Sequence, residues 1–506
     1  MNLIIQHFRL GTRSAIGRTP RLTLGLAVAG CLPIYLLVHF GLRLLEGNTL
    51  RWDESEQTLF SQRLALGYND QPPVYTWLLW AIFQVTGVSV LGLHLLKSLI
   101  LSACYLGTFA VARKLTEEKF ARLGTLSLLL TPYFAWSVLI DGAHTLFVAA
   151  FVPIAFLVVL RLLERATTPG FMLLGIVLGL GVLAKYSFAI LAIAILLALL
   201  SMPAYRRRLR DPRLLWTVAL AGLVILPHAL WVHENWKLVS ERPMARSGVI
   251  APSGSTDRVV MGLVSLTRTS LLVVGSLLAV LAACFPKDCA RILFNPAQSD
   301  RVRLLGRWLA MVCLLLIVLV LLGITKFRTH WLIPVLVLFP VYVFARLAER
   351  PVAEKARRGY LGLIGLAVIA VIAIRIVGVT ANSRETEKAR AQERLHAELA
   401  AHISSNGLER ATIIGDHPIV CGNIRRAFPE ASVICSYYPA FAVTELPVGY
   451  VAWEATDSNE PMPGLGKWLE NRVLEARSAS AVYFEIAAES HTQGLRRIGF
   501  VAVQPK

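Results

Sequence analysis

Long apolar runs separated by short polar connectors dominate the first 381 residues of the chain. A membrane-spanning helix needs about 20 predominantly apolar residues, and eleven runs approach or reach that length. They lie at about 22–45, 90–112, 121–140, 142–163, 170–184, 187–203, 214–232, 259–284, 304–323, 330–346 and 359–381. The pattern predicts a polytopic α-helical membrane protein with about eleven transmembrane helices over residues 1–381. Lys185 and Tyr186 interrupt the fifth and sixth runs, which therefore form either a hairpin or a broken helix.

Residues 382–506 have a different pattern. A charged helical stretch over 385–403 is followed by alternating strand-like and helix-like segments. The strand-like segments are 411–415, 432–435, 449–453 and 481–486, and the helix-like ones are 420–428 and 465–476. Strands that alternate with helices are typical of an α/β fold, so we expect a small soluble α/β domain. Its two cysteines, Cys421 and Cys435, either form a disulfide or remain buried free thiols.

Composition excludes an all-soluble enzyme and a disordered chain. Hydrophobic residues make up 56% of the 506 residues, and charged residues make up 16%. An ordinary soluble protein has roughly 25% charged residues. Mean hydropathy is +0.60, which agrees with a chain that lies mostly in a membrane.

The formal net charge of +19 is concentrated in alternate connectors between the apolar runs. The basic segments are 1–21, 113–122, 161–165, 206–213, 287–307 and 346–358. Because basic connectors of membrane proteins face the cytoplasm, the 46–89 loop and residues 382–506 are expected outside, which is the periplasm if the source is a Gram-negative bacterium. The charge thus indicates membrane lipids as partners, and not nucleic acid.

The predicted external loop 46–89 contains a dense group of acids. Asp53, Glu54 and Glu56 fall within four positions, and a carboxylate beside the membrane boundary suits a general base or a metal ligand. The alternative is that these are solvated loop acids. Farther along, Gly67 to Pro73 reads Gly-Tyr-Asn-Asp-Gln-Pro-Pro, and an aromatic segment over 74–85 is typical of a helix lying at the membrane interface.

Other ionisable residues stand at the same ends of the predicted spans. Asp141 begins the fourth span, with His144 one turn later; the remaining ones are Lys185, Lys326, Arg328 and His330. Ionisable groups at membrane depth are costly and usually mark a functional cavity. An acidic centre with a basic rim suits a phosphate group, because Lys and Arg bind phosphate oxygens. The alternative for each cation is an anchor that reaches toward the lipid headgroups.

Taken in order, these strings resemble the GT-C glycosyltransferases. The chain is most similar to the branch that holds the protein O-mannosyltransferases, the lipid A aminoarabinose transferases and the rhizobial galacturonosyltransferases (glycosyltransferase families 39 and 83). The matching strings are Asp53-Glu54, Gly67-Tyr68-Asn69-Asp70-Gln71-Pro72-Pro73, Ile140-Asp141-Gly142, Leu183-Ala184-Lys185-Tyr186, and Lys326 to Pro334. Many relatives read Asp-His-Pro-Pro where this chain has Asp70-Gln71-Pro72-Pro73, so a role for that histidine does not carry over.

The resemblance implies a GT-C fold and inverting transfer of one sugar from a polyprenyl-phosphate donor to an envelope acceptor. It implies a catalytic role for Asp53, with Glu54 as the neighbouring alternative and Asp141 as a second acid. The predicted substrate-binding residues are Tyr68, Asp70, His144, Lys185, Tyr186, Lys326, Arg328 and His330. A divalent metal ion would assist departure of the phosphate, although no ligand set in the sequence demands one.

The acceptor implied by the branch is a glycolipid such as lipid A or core oligosaccharide, and a protein is the alternative. Two other functions stay open at this point. A non-catalytic glycolipid flippase would also need many spans and a charged cavity, although the chain has no paired half-repeats of the kind many transporters show. A polymerase or ligase of surface polysaccharide would use the same kind of donor.

Overall fold

The structure is a computed structural model. It describes residues 20–138, 142–249, 255–380, 384–438, 449–454, 474–476, 481–485 and 497–505, together with Leu465, Lys467 and Leu469. The helices before the C-terminal region are α1 (Pro20–Leu45), α2 (Trp52–Phe60), α3 (Val74–Thr86), α4 (Val90–Leu115), α5 (Glu118–Leu126), α6 (Ala143–Glu164), α7 (Thr168–Ala184), α8 (Phe188–Leu200), α9 (Pro203–Arg206), α10 (Leu214–Glu234), α11 (Trp236–Ser247), α12 (Ser255–Cys284), α13 (Pro286–Phe294), α14 (Asp300–Leu321), α15 (Thr329–Leu336), α16 (Phe339–Leu347) and α17 (Glu354–Thr380).

Among the described residues, seven helical segments are long and apolar enough to cross a membrane. They are Val90–Leu115, Ala143–Glu164, Leu214–Glu234, Asp257–Cys284, Asp300–Leu321, Thr329–Leu347 and Glu354–Thr380. Phe188–Leu200 and Pro203–Arg210, bent by 105°, would together add an eighth. Shorter apolar helices cover Pro33–Leu45, Val74–Thr86 and Thr168–Ala184. The chain is therefore a multi-pass membrane protein.

The prediction of one continuous span over 121–140 is wrong. In the described part of that range, α5 ends at Leu126 and is followed by a 3-10 turn, Ser127–Leu130, and a π turn, Tyr133–Ser137. Pro132 lies between the two turns and cannot donate the backbone hydrogen bond that a continuous helix requires. Apolar composition alone does not reveal such a break.

Three of the basic connectors meet at one end of the helix bundle. Lys114 Nζ lies 2.6 Å from Glu164 Oε2, and Arg301 lies 3.0 Å from Glu164 Oε1. These residues belong to the predicted cytoplasmic segments 113–122, 161–165 and 287–307. Helices α2 and α3 lie at the opposite end, as alternation of the connectors predicts.

The C-terminal region folds as an α/β unit. Helices α18 (Arg384–Ser405) and α19 (Pro418–Ala427) accompany the strands β1 (Thr412–Gly415), β2 (Ser432–Cys435), β3 (Tyr450–Glu454), β4 (Leu474–Ala476), β5 (Val482–Glu485) and β6 (Arg497–Pro505). The strand order is β2-β1-β3-β6-β4, and β5 also pairs with β6. Strand β1 is parallel to β2 and β3, whereas β6 is antiparallel to β3, β4 and β5.

Sequence patterning missed β6, and it extended the predicted helix over 465–476 too far. The end of that helix, Leu474–Ala476, is a strand because it pairs with β6. Cys421 and Cys435 are buried free thiols, which agrees with the second of the two alternatives left by the sequence.

Helix α2 is packed directly under the C-terminal domain. Gly422 of α19 lies so close to Ser55 that a Cβ atom would be 2.4 Å from the Ser55 Cα atom. The backbone N–H of Leu50 donates to Asn423 Oδ1 at 3.0 Å. Leu59 and Phe60 of α2 are buried in one apolar core with residues of α18, α19 and the sheet. The C-terminal domain thus fixes the orientation of the helix that carries Asp53.

Candidate active site

A cavity of about 500 Å³ lies beside α2, at the end of the bundle away from the three basic connectors. Its charged and titratable lining residues are Asp53, Glu56, Asp70, His144, Lys185, Arg246, Arg328 and His330. Acids and cations from five separate stretches of the chain therefore face one space. Five of the predicted substrate-binding residues and the first predicted catalytic acid are among them.

Asp53 is held at the edge of this cavity by a backbone contact. Its Oδ2 atom accepts a hydrogen bond from the Gly142 N–H at 3.1 Å, and its position in the first turn of α2 favours a carboxylate because the helix dipole is positive there. Gly142 has φ of +91°, and a Cβ atom there would lie 2.9 Å from the Tyr133 hydroxyl. Only glycine fits this approach without strain. Asp141 lies outside the described residues.

Glu54 does not face the cavity, contrary to its predicted catalytic role. Its side chain is 3% exposed, and Oε2 accepts hydrogen bonds from Arg43 at 2.9 Å and the Arg51 N–H at 3.1 Å. Its Oε1 atom lies 2.8 Å from His94 Nε2. Burial alone would raise its pKa, but Arg43 and the other cations hold the pKa of Glu54 well below its usual range. The geometry makes Glu54 an ionised anchor that orients the start of α2.

The side chains of Tyr68 and Asp70 lie in different surroundings, although the two residues are only two positions apart. The Tyr68 hydroxyl donates to the Arg63 carbonyl at 2.7 Å and accepts from the Ala65 N–H at 3.1 Å. Its ring stacks on Phe60 in the core shared with the C-terminal domain, so Tyr68 closes the loop and does not line the cavity. Asp70 lines the cavity, with Oδ2 at 3.3 Å from Arg246.

His144 and Lys185 lie in the wall of the cavity, and His144 contacts α2. The Thr76 hydroxyl donates to Gln57 Oε1 at 2.7 Å, which leaves the Gln57 amide N–H to donate to His144 Nε2 at 3.1 Å. His144 Nδ1–H then donates to the Ala184 carbonyl at 3.4 Å. Lys185 Nζ donates to the Thr145 hydroxyl at 3.0 Å. These bonds hold a neutral imidazole and an ammonium group side by side.

A second, smaller cavity of about 190 Å³ adjoins the first. It shares Asp70, Lys185, Arg246 and His330 with the larger cavity. The rest of its wall is mainly apolar and includes Ile190, Leu191, Leu316, Phe327, Trp331 and Val335. The arrangement joins a polar chamber to an apolar channel.

Tyr186 lies in the wall of this apolar cavity. Its hydroxyl donates to His228 Nε2 at 2.8 Å, and His228 Nδ1–H donates to the Leu66 carbonyl at 2.6 Å. The predicted substrate-binding residue thus also connects the cavity wall to the first loop.

Lys326 and Arg328, the two cations predicted to bind phosphate, lie in different places in the fold. Arg328 and His330 line the polar cavity. Lys326 is exposed and belongs to neither of these two cavities, and its backbone N–H donates to the Ser247 carbonyl at 3.1 Å. Lys185 and Arg246 line both cavities, so the structure separates the Lys326 side chain from the other cations considered for the phosphate.

Sequence reasoning did not single out Arg246 of the cavity or Tyr438 of the C-terminal domain, and it gave Glu56 only as one of the three acids of the first loop. Glu56 is one helical turn from Asp53, and its Oε2 atom accepts a 2.6 Å hydrogen bond from the Tyr438 hydroxyl of the C-terminal domain. Burial raises the pKa of Glu56 to about 7; the Tyr438 hydrogen bond opposes this shift, and the charges of Asp53 and Asp70 add to it. The i, i+3 spacing from Asp53 was the available signal for Glu56. No local motif marks Arg246 or Tyr438.

Among the residues that the structure describes, no group of three or more His, Cys, Asp or Glu side chains is arranged to hold a metal ion. The carboxylates of the cavity instead stand among cations: Asp70 pairs with Arg246, and Asp53 shares the cavity with Lys185 and Arg328.

Comparisons with known proteins agree with this architecture. A family model described as dolichyl-phosphate-mannose-protein mannosyltransferase matches residues 70–231. The lipopolysaccharide core galacturonosyltransferase RgtB of Rhizobium johnstonii is 31% identical over 459 residues, which cover 89% of this chain and 92% of that protein. The core galacturonosyltransferase RgtA of the same organism is 28% identical over 430 residues, with 83% of each chain covered.

Among solved structures, the crystal structure of ArnT from Cupriavidus metallidurans bound to undecaprenyl phosphate is similar with a TM-score of 0.63. The sequence identity is 12%, and the match covers 94% of this chain and 98% of that chain. At this identity the likeness concerns the fold alone. It confirms the predicted GT-C fold, with its apolar helices and small C-terminal sheet domain.

Proposed function

Because this chain belongs to the family of the lipopolysaccharide core galacturonosyltransferases and is a GT-C glycosyltransferase, we propose that it transfers one sugar from a polyprenyl-phosphate donor to an envelope glycolipid. The acceptor is the saccharide of lipopolysaccharide core or lipid A, and the transferred sugar is galacturonic acid, the group in the relatives' names. The observation that carries the proposal is the polar cavity with Asp53 at one edge and three cations around it, joined to an apolar channel.

The proposed reaction is an inverting displacement. The acceptor hydroxyl attacks the anomeric carbon on the face opposite the phosphate, and its proton passes to the Asp53 carboxylate. The bond between the anomeric carbon and the phosphate oxygen breaks with its electron pair on that oxygen, which releases polyprenyl phosphate. Lys185, Arg246 and Arg328 face the negative charge that develops there. The apolar channel accommodates the start of the polyprenyl chain.

The proposed orientation places the cavity and the C-terminal domain on the periplasmic face of a bacterial inner membrane. Its support is the positive-inside rule, together with the convergence of Lys114, Glu164 and Arg301 at the opposite end of the bundle. A polyprenyl-phosphate donor and a lipopolysaccharide acceptor would both reach such a site from the membrane.

The proposed function is tested by mass spectrometry of lipid A, core oligosaccharide and total glycoprotein from a strain that lacks the gene. We expect one glycolipid species to lose a single hexuronic acid, and the intact gene to restore it. An unchanged glycolipid profile together with a missing protein glycan would replace this proposal by protein O-glycosylation. If the deletion strain makes all of its glycans unchanged but a glycolipid accumulates on the cytoplasmic face of the membrane, a flippase would be favoured.

Removing the cavity cations is expected to weaken use of the donor. Lys185→Gln and Arg328→Gln should each lower kcat/KM for the polyprenyl-phosphate sugar about 10- to 100-fold, because a hydrogen bond to a charged group contributes ~1.5–3 kcal/mol. Lys326→Gln is the matched control, since its side chain is exposed and lines neither of the two cavities. An equal loss in Lys326→Gln would show that general surface charge, and not the cavity, binds the phosphate.

Glu56 is expected to make substrate binding dependent on pH. Its pKa of about 7 lies above its ordinary value, so the side chain is protonated and neutral below pH 7 and becomes a second carboxylate beside Asp53 above it. The added negative charge repels an anionic donor. The donor KM should therefore increase as the pH is raised from roughly one unit below 7 to roughly one unit above it. Glu56→Gln should flatten this rise when KM is measured across the same range. A rise that persists in Glu56→Gln would assign the titration to another group.

A further inference from the structure

Three aromatic rings form a corner where the polar cavity meets the C-terminal domain. The Trp52 ring lies 5.3 Å from the His417 ring and 5.6 Å from the Tyr437 ring, at interplanar angles of 86° and 83°. Trp52 is 37% exposed and Tyr437 is 39% exposed. Trp52 also lines the polar cavity, so the corner is continuous with the space that Asp53 faces.

A guanidinium group completes this corner. The Arg242 guanidinium carbon lies 4.6 Å from the Tyr437 ring centre, and its NH2 group donates to the Tyr437 carbonyl at 3.1 Å. Arg242 belongs to α11, the helix that also supplies Arg246 to the cavity. The corner therefore combines a flat apolar surface with a cation held in place, which suits a ligand that is both carbohydrate and anionic.

The corner is also connected to the carboxylates of the polar cavity. Tyr438 follows Tyr437 in the chain, and its hydroxyl donates to Glu56 at 2.6 Å. Trp52 precedes Asp53 at the start of α2. A sugar lying against Trp52 would therefore have its neighbouring hydroxyl groups close to Asp53 and Glu56, which line the polar cavity and not the apolar one.

We propose that Trp52, Tyr437 and Arg242 form the subsite that binds the saccharide of the acceptor, with the sugar stacked on Trp52 and its anionic groups facing Arg242. This inference rests on the proposed function and deepens it, because it assigns acceptor recognition to the junction between α2 and the C-terminal domain. A sugar ring has an apolar C–H face and polar edges. The exposed rings and the polar groups around them match both surfaces.

The proposed subsite and the apolar channel are lined by different residues. The apolar channel is lined by Ile190, Leu316 and Trp331, whereas the corner is built from α2, α11 and the segment after β2. The two groups of residues therefore predict opposite kinetic defects. Substitutions in the corner should affect the acceptor KM, and substitutions of the cavity cations should affect the donor.

The test uses the full-length enzyme with a glycolipid acceptor and, as inhibitor, the same glycolipid after removal of its acyl chains. In Trp52→Leu and Tyr437→Leu we expect the acceptor KM and the inhibition constant of the deacylated glycolipid to rise together by about tenfold, with the donor KM within about twofold of wild type. Arg242→Gln should raise the same two constants, and most strongly at low ionic strength. Tyr437→Phe, which keeps the aromatic ring, should raise both constants less than Tyr437→Leu does.

The outcomes separate this inference from the proposed function. A wild-type enzyme that transfers sugar, with unchanged acceptor KM and inhibition constant in Trp52→Leu and Tyr437→Leu, would overturn the subsite alone. An equal rise in donor KM and acceptor KM would also overturn it, because the corner would then serve only to support the fold. A wild-type enzyme that transfers no sugar to any glycolipid would overturn the proposed function itself.

Discussion

The Asp53→Asn variant is expected to lose sugar transfer by about 10²- to 10⁴-fold while its unfolding temperature stays near that of wild type. The amide has the shape of the carboxylate and retains an oxygen that accepts the Gly142 N–H, so the contact that positions residue 53 survives. It cannot take the proton from the acceptor hydroxyl. Initial rates with saturating donor and acceptor, together with a thermal unfolding curve in detergent, measure both effects.

A defect in transfer alone would agree with Asp53 as the general base. Donor binding provides the control for this variant, because Asp53 is proposed to act on the acceptor hydroxyl and not on the phosphate. Retained transfer in Asp53→Asn would contradict the assignment, and the next carboxylate to test in the cavity would then be Glu56.

The Glu54→Gln variant is expected to show the opposite result, a large loss of stability. Glu54 and Arg43 are 3% and 2% exposed and form a 2.9 Å ion pair, and His94 and Lys97 lie 2.8 Å and 3.9 Å from the other carboxylate oxygen. Removing the carboxylate charge leaves Arg43 buried without its counter-ion. Breaking a buried pair in this way typically costs about 3–5 kcal/mol.

The midpoint of thermal unfolding in detergent measures the effect of Glu54→Gln, and residual transfer below that midpoint reports on catalysis. Asp53→Asn serves as the matched control, because it changes the adjacent carboxylate to the same extent. A Glu54→Gln protein with unchanged stability and abolished transfer would contradict the structural role and move the general base to residue 54.

The sequence alone identifies most of the architecture because hydrophobic length and periodicity are local properties. The apolar runs coincide with helices such as α4, α6 and α17, and the strand-like segments of the C-terminal region coincide with β1, β2, β3 and β5. The short strings around Asp53, Asp70, Lys185 and Arg328 indicate the chemistry, since acids and cations at the ends of spans are costly without a function.

The tertiary structure alone decides which of these residues share a space. Asp53 and Glu54 are adjacent in sequence, yet about 100° of rotation per helical residue directs one to the cavity and the other to Arg43. Lys326 and Arg328 are both exposed and only two residues apart, yet Arg328 lines the cavity and Lys326 does not. The contributions of Arg246 and Tyr438 depend on contacts across 176 and 382 residues, and such packing leaves no local pattern in the sequence.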